Sequence, residues 1–215
     1  MAGLREKQKA DRERRILQAA VTKFRADGYR AVRIEDLAEM AEVSVGTVYN
    51  YYQTKGDILM ATVTMEVEEV LEAGQAILAD PPEAVDDALL ALIFSYYDHS
   101  LEYLSKEMWR NAMALAIEAP STPNGRRYFE MDQRLAAQMG DLVAALQDRD
   151  KVRRDIDAGL LGTLLFNNLN QMFLEFVKED DMPLDVLRSR VAAQTLPLAK
   201  LIATAAITQK MEMSV

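Results

Sequence analysis

Cysteine is absent from this chain of 215 residues, and histidine occurs once. The first absence removes disulfides, thiolate metal sites and cysteine nucleophiles, and makes the reducing cytoplasm the expected location. The second leaves His99 without the partner that a two-histidine zinc site or the Glu-x-x-His pairs of a di-iron bundle would need, so no metal site is expected. A long uninterrupted apolar run is also missing. The most apolar stretch, GLLGTLLFNNLNQMFLEFV from Gly159 to Val177, is interrupted by Asn167, Asn168, Asn170, Gln171 and Glu175. It reads as a buried helix rather than a membrane span. The opening MAGLREKQKADRERR alternates charge where an export signal needs apolar residues. No nucleophile lies beside a base and no glycine loop could cradle a phosphate, so neither a catalytic residue nor a cofactor is expected.

The charge that is present is unevenly placed. Residues 1–56 carry 11 Lys and Arg against 8 Asp and Glu, a net +3, while residues 57–215 carry 14 against 26, a net −12. A basic head on an acidic body fits a nucleic-acid-binding end, and equally a solvated helix face.

Periodicity predicts helix nearly throughout, with no alternation long enough for a strand. Ile16, Leu17, Ala20 and Phe24 recur at helical spacing and stop at Gly28, a residue suited to the left-handed end of a helix. Ile34, Leu37, Ala38 and Ala41 repeat the pattern. Ser44 offers a capping oxygen for a short helix from Val45 to about Tyr51, and Thr54-x-x-Asp57 has capping-box form. Longer segments follow: Lys55 to about Ala79, Glu83 to Leu104, SKEMWRNAMALAIEA, Gly125 to Gln147, Asp155 to Lys178, and Pro183 to about Thr208, the last bent or split at Pro197. The expectation is an all-α protein of about nine helices.

A helix ending near Ala41, a tight turn through Glu42 and Val43, and a short helix capped by Ser44 make a helix-turn-helix, whose second helix enters a major groove N-terminus first. Val43 and Val48 are spaced to fill the angle between the helices, leaving Val45, Gly46, Thr47, Tyr49 and Asn50 outward. Gly46 is poor helix design but lets the backbone approach a phosphate closely.

The run GYRAVRIEDLAEMAEVSVGTVYNYYQTKGDIL, Gly28 to Leu59, resembles the DNA-binding head of the TetR (tetracycline repressor) family. Val43, Ser44, Gly46, Thr47, Tyr49, Tyr52, Lys55 and Leu59 fall in register with the family run. The resemblance implies a three-helix DNA-binding head over residues 1–54. It implies a larger domain over 55–215 that binds a small molecule and dimerises through its last two long helices. It places Thr47 and Tyr49 on the DNA backbone, Val45 and Asn50 at base edges or thymine methyls, Lys55 on a phosphate and Tyr52 in the core, with Tyr51 open between DNA and packing; Ser44 and Gly46 complete the expected DNA-binding set. Two positions depart from the family. Arg33 stands where Thr or Ser is usual, losing a side-chain cap but bringing a cation near a phosphate. Glu42 stands where Gly is usual, which costs about 1–2 kcal/mol if the turn keeps its form.

In the body, Trp109, Met108, Met113, Tyr96, Tyr97 and Tyr103 fit either core or pocket, and His99 either a partly buried polar residue or a ligand contact. Asn167 and Gln171, four apart on an apolar helix, would bond to each other and to neighbouring helices, line a pocket, or sit at a dimer seam. The acidic run Glu66, Glu68, Glu69, Glu72 reads as a solvated face. The expected effector site joins Met65, Tyr96, His99, Trp109, Met113, Asn167 and Gln171. The functional expectation is a homodimeric, ligand-responsive repressor on a palindromic double-stranded DNA operator, with an effector of unknown identity and no membrane contact. The alternative is a helical binding or scaffold protein of the same fold that does not read DNA.

Overall fold

The computed structural model describes residues 2–204, which form nine α-helices and no strand. They are α1 (Ala2–Asp27), α2 (Ile34–Met40), α3 (Val45–Tyr49), α4 (Lys55–Ala79), α5 (Val85–His99), α6 (Lys106–Glu118), α7 (Pro123–Asp148), α8 (Ala158–Lys178) and α9 (Leu184–Ile202). One isolated antiparallel bridge joins Val152 to Ala203, supported by Arg153 N–H to the Ile202 carbonyl at 2.9 Å. The end of the expected last helix, Ala205 to Thr208, lies outside the described residues. No described helix is long and apolar enough to cross a membrane.

Packing divides the chain into two compact units, residues 1–67 with 101–129, and residues 68–100 with 130–215. These packing units are a different partition from a functional one at Thr54, because α6 and the start of α7 belong with the head.

In the first unit, Ile16, Ala20 and Phe24 of α1 bury against Leu37 and Ala38 of α2 and Val48 of α3. Gly28 ends α1 at φ 84°, the left-handed position that glycine adopts at least cost. The start of α4 carries both halves of a capping box: Thr54 N–H donates to the Asp57 carboxylate at 2.8 Å, and Asp57 N–H to Thr54 Oγ1 at 3.1 Å. Asn124, at the start of α7, donates to the other Asp57 oxygen at 2.7 Å.

The elements differ from expectation in several places. The helix expected over Glu83–Leu104 ends at His99, and Ser105 caps a new one by accepting the Met108 N–H at 3.3 Å. The apolar pattern continues across this break because Leu104 is fully buried in the connection. Asp157 rather than Asp155 begins α8, accepting the Leu160 N–H at 2.8 Å. α9 runs unbroken through Pro197. Proline there removes the bond to the Ala193 carbonyl, but both residues are exposed, so water can satisfy that oxygen.

In the second unit α5, α7, α8 and α9 share an apolar interior. Gln138 of α7 is buried and satisfied twice, accepting from Tyr96 Oη at 2.8 Å and donating to the Leu71 carbonyl of α4 at 2.8 Å. Tyr97 Oη donates to the Leu169 carbonyl of α8 at 2.8 Å, and its ring stacks on Phe173. The expected solvated acidic face of α4 needs correction at Glu66, which is 1% exposed and accepts the Tyr103 N–H at 3.4 Å within the first unit. Glu66 lies three and seven residues beyond Val63 and Leu59, on the buried stripe, whereas Glu68 and Glu72 point outward.

Candidate functional site

The helix-turn-helix forms as the turn chemistry dictates. Ala41 caps α2, and Glu42 takes φ 53°, the left-handed turn conformation. Its N–H bonds the Glu39 carbonyl at 3.1 Å, and the Val43 N–H reaches the Ala38 carbonyl at 3.0 Å. Ser44 Oγ then accepts the Thr47 N–H at 3.0 Å and contacts Thr47 Oγ1 at 2.8 Å, closing the N-terminus of α3. Arg33 has no acceptor with which to cap α2. The reciprocal half of a capping box survives, in which the Asp36 carboxylate accepts the Arg33 N–H at 2.8 Å, and the Arg33 side chain stays exposed.

Val48 alone of the α3 residues is buried. Gly46, Tyr49 and Asn50 are exposed and Val45 and Thr47 half-buried, so the outward set expected from spacing is presented on one short helix. Tyr49 stays 50% exposed. A Cβ built on Gly46 would meet nothing beyond Ser44 Oγ at 3.8 Å, so the fold itself has no need of glycine there. The three tyrosines separate. Tyr52 is buried with its hydroxyl 3.4 Å from Glu13 Oε1; desolvation, reinforced by that carboxylate, raises its pKa. Tyr51 is half-buried and donates to the Lys9 carbonyl of α1 at 3.1 Å. Tyr49 alone of the three is exposed.

Lys55 departs from the phosphate contact that resemblance implies. Its ammonium donates to the carbonyls of Tyr29 at 2.7 Å, Arg30 at 3.0 Å and Val32 at 2.9 Å, and stands 4.7 Å from the centre of the Tyr29 ring. All three ammonium protons are therefore engaged within the head. Desolvation lowers the Lys55 pKa, partly offset by the charge of Glu107.

The residues expected around an effector fall in both units. Met65, Trp109 and Met113 belong to the first, where Trp109 and Met113 are buried and Met65 half-buried. Tyr96, His99, Asn167 and Gln171 belong to the second. Tyr96 gives its hydroxyl to Gln138, and His99 Nε2 lies 3.4 Å from a Glu69 oxygen. Asn167 and Gln171 are exposed rather than buried, on the outward face of α8 with Leu160 and Leu164, and Gln171 Nε2 lies 3.5 Å from Glu175 Oε1. The physical reason is the width of the apolar stripe. Leu161, Leu165, Phe166, Leu169, Phe173 and Phe176 already cover the neighbouring helices, and the amides lie on the other side.

Asp132 escaped sequence reasoning. It follows buried Met131 on α7, and desolvation pushes its carboxyl up to about 7. The one available signal was its place beside the stripe Met131, Leu135 and Met139, where a carboxylate is out of pattern. Among the described residues no group of His, Asp and Glu side chains could hold a metal ion.

Residues 16–62, which span the end of α1, the helix-turn-helix and the start of α4, match the family of bacterial regulatory proteins, tetR family. The head is similar to that of the TetR family. The HTH-type transcriptional repressor KstR of Rhodococcus jostii is 30% identical over 139 residues, covering 65% of this chain and 57% of that protein. The match thus spans a little over half of that relative's length. The likeness in fold extends over most of the chain: a TetR-family transcriptional regulator from Pectobacterium atrosepticum superposes with a TM-score of 0.71 at 18% identity, over 92% of this chain and 96% of that one. The TetR-family repressor FadR of Thermus thermophilus, in complex with lauroyl-CoA, does so with a TM-score of 0.63 at 19% identity, over 87% and 92%.

Proposed function

We propose that the chain is a homodimeric, cytoplasmic transcriptional repressor that grips a two-fold symmetric operator with α3 of each head and is released by a small-molecule effector. Residues 1–54 form the DNA-binding head, and residues 55–215 carry the effector and the dimer contact. Ser44, Thr47, Tyr49 and the Gly46 backbone meet phosphates, Val45 and Asn50 meet base edges, and Arg33 adds a cation at the start of α2. Tyr51 and Lys55 act from inside the head: Tyr51 joins α3 to α1, and Lys55 fixes the turn between α1 and α2. The effector is apolar in part, matching a methionine-rich and aromatic body. Lauroyl-CoA, bound by a protein of the same fold, is the first compound to try.

The observation that carries this reading is Gly46, a glycine inside a helix with nothing of the fold pressing on it. Its missing side chain serves something outside the protein. The test selects duplexes from a random pool with the full chain, then compares the wild type with Gly46→Ala. Alanine should leave thermal stability equal or higher, by up to about 1 kcal/mol from helix propensity, and weaken binding to the selected site by about tenfold or more, equivalent to about 1.4 kcal/mol. Recovery of no symmetric site, or undiminished binding by Gly46→Ala, would overturn the reading.

A further inference from the structure

The first three turns of α1 take no part in the core, and the position of their charges is informative. Farther along, Ile16, Ala19, Ala20 and Phe24 form the stripe that α1 buries. Followed back from Ile16 in steps of four, three and four residues, the same stripe reads Arg12, Lys9 and Arg5. All three are exposed, and none makes an ion pair with a described residue. Of the acids nearby, Asp11 pairs with Arg14 at 2.6 Å and Arg15 at 3.5 Å, Glu13, one turn beyond Lys9, faces the Tyr52 hydroxyl, and Glu6 is exposed beside Arg5. So the side of α1 that packs on the head becomes cationic where the helix extends past its packing partners. That extension is tied to the reading helix, because Tyr51, which follows the Asn50 cap of α3, donates to the Lys9 carbonyl at 3.1 Å.

We propose that Arg5, Lys9 and Arg12 form a second DNA contact, a phosphate-binding rail along the backbone beside the groove that α3 enters. The proposal rests on the DNA-binding reading above. Seven residues of helix span about 10 Å, the axial length of about three phosphates of one strand, so three cations and three phosphates are commensurate. The acidic remainder of the chain, at −12 over residues 57–215, repels the same polyanion, so a cationic stripe adjoining α3 is where additional backbone contact is gained. The rail touches no base and therefore strengthens binding to every sequence alike.

The experiment measures affinity of the full chain for its selected duplex and for a random-sequence duplex of equal length, over a range of salt. Arg5→Ala with Lys9→Ala and Arg12→Ala is compared with Lys7→Ala with Arg14→Glu, which removes the same formal charge from other faces of α1. The rail variant should bind both duplexes about tenfold or more weakly at low salt and keep its base preference. Its slope of log affinity against log salt should fall by about 0.9 for each phosphate that is no longer neutralised, up to about 5 for a dimer. The control should stay within about threefold of wild type at the same salt. An unchanged slope in the rail variant, or an equal loss in the control, overturns the rail while leaving the DNA-binding reading intact. Absence of salt-dependent binding by the wild type itself overturns both.

Discussion

At Glu42 a non-glycine residue holds the left-handed turn of the helix-turn-helix, at φ 53°. Its side chain is 87% exposed and only approaches Arg15 at 4.0 Å, so no contact repays the roughly 1 kcal/mol of backbone strain. The geometry of the motif is worth more than the strain, since the turn aims α3. Asp132 carries the clearest titration. Its folded carboxyl is held at about 7, against an ordinary 3.8, by desolvation. Below about pH 4 both states are protonated and the residue costs nothing. As pH rises toward 7 the unfolded chain releases its proton while the fold retains it, so stability falls through that window and levels off above it. Asp132→Asn should therefore match wild type near about pH 4 and exceed it near about pH 8 in chemical denaturation. An equal loss at both pH values would mean that the carboxyl has a structural partner instead. Asp132 was not legible because its cost comes from what surrounds it, whereas Ser44 was, because capping is settled within three residues.

Among the elements, α7 and α8 cross at glycines. A Cβ on Gly162 would overlap the backbone N and Cα of Gly140, and backbone, unlike a side-chain tip, cannot swing away. Gly162→Ala should lower stability by about 1–3 kcal/mol through overpacking, despite the better helix propensity of alanine. One turn earlier, a Cβ on Gly159 meets only Asp157 Oδ1 at 3.4 Å, and Gly159→Ala should be neutral or stabilising. Thermal unfolding of the two variants separates crossing from propensity, and similar midpoints would argue against a tight crossing. Local signals located most elements: Gly28 ended α1, Ser44 capped α3, and Thr54 with Asp57 started α4. The break between α5 and α6 was hidden because buried Leu104 kept the apolar rhythm across a non-helical connection.

For the whole molecule, the outward faces of α8 and α9 carry the largest consequence. Leu160 is 73% exposed, Leu164 58% and Leu201 71%, on helices whose opposite faces are already packed. Such a patch on a chain of this size is costly to leave wet, at about 25 cal/mol per Å². The proposed homodimer buries it. Sedimentation of the wild type should give twice 24.2 kDa at micromolar concentration, and Leu160→Asp with Leu164→Asp should give the 24.2 kDa monomer. A wild-type monomer would remove the dimer and with it the two-fold operator.

The helical class, the helix-turn-helix and its outward residues were legible in the chain of residues alone, because periodicity, caps and turns each span only a few positions. The break before α6 and the role of Lys55 came from tertiary packing. So did the burial of Glu66, the exposure of Asn167 and Gln171, and the continuation of the α1 core stripe into Arg12, Lys9 and Arg5. Each depends on which face of a helix meets another part of the chain. A lysine at the start of α4 looks the same in sequence whether it awaits a phosphate or, as here, spends its three protons on the carbonyls of Tyr29, Arg30 and Val32. Only folding brings those carbonyls, more than twenty residues earlier in the chain, within reach.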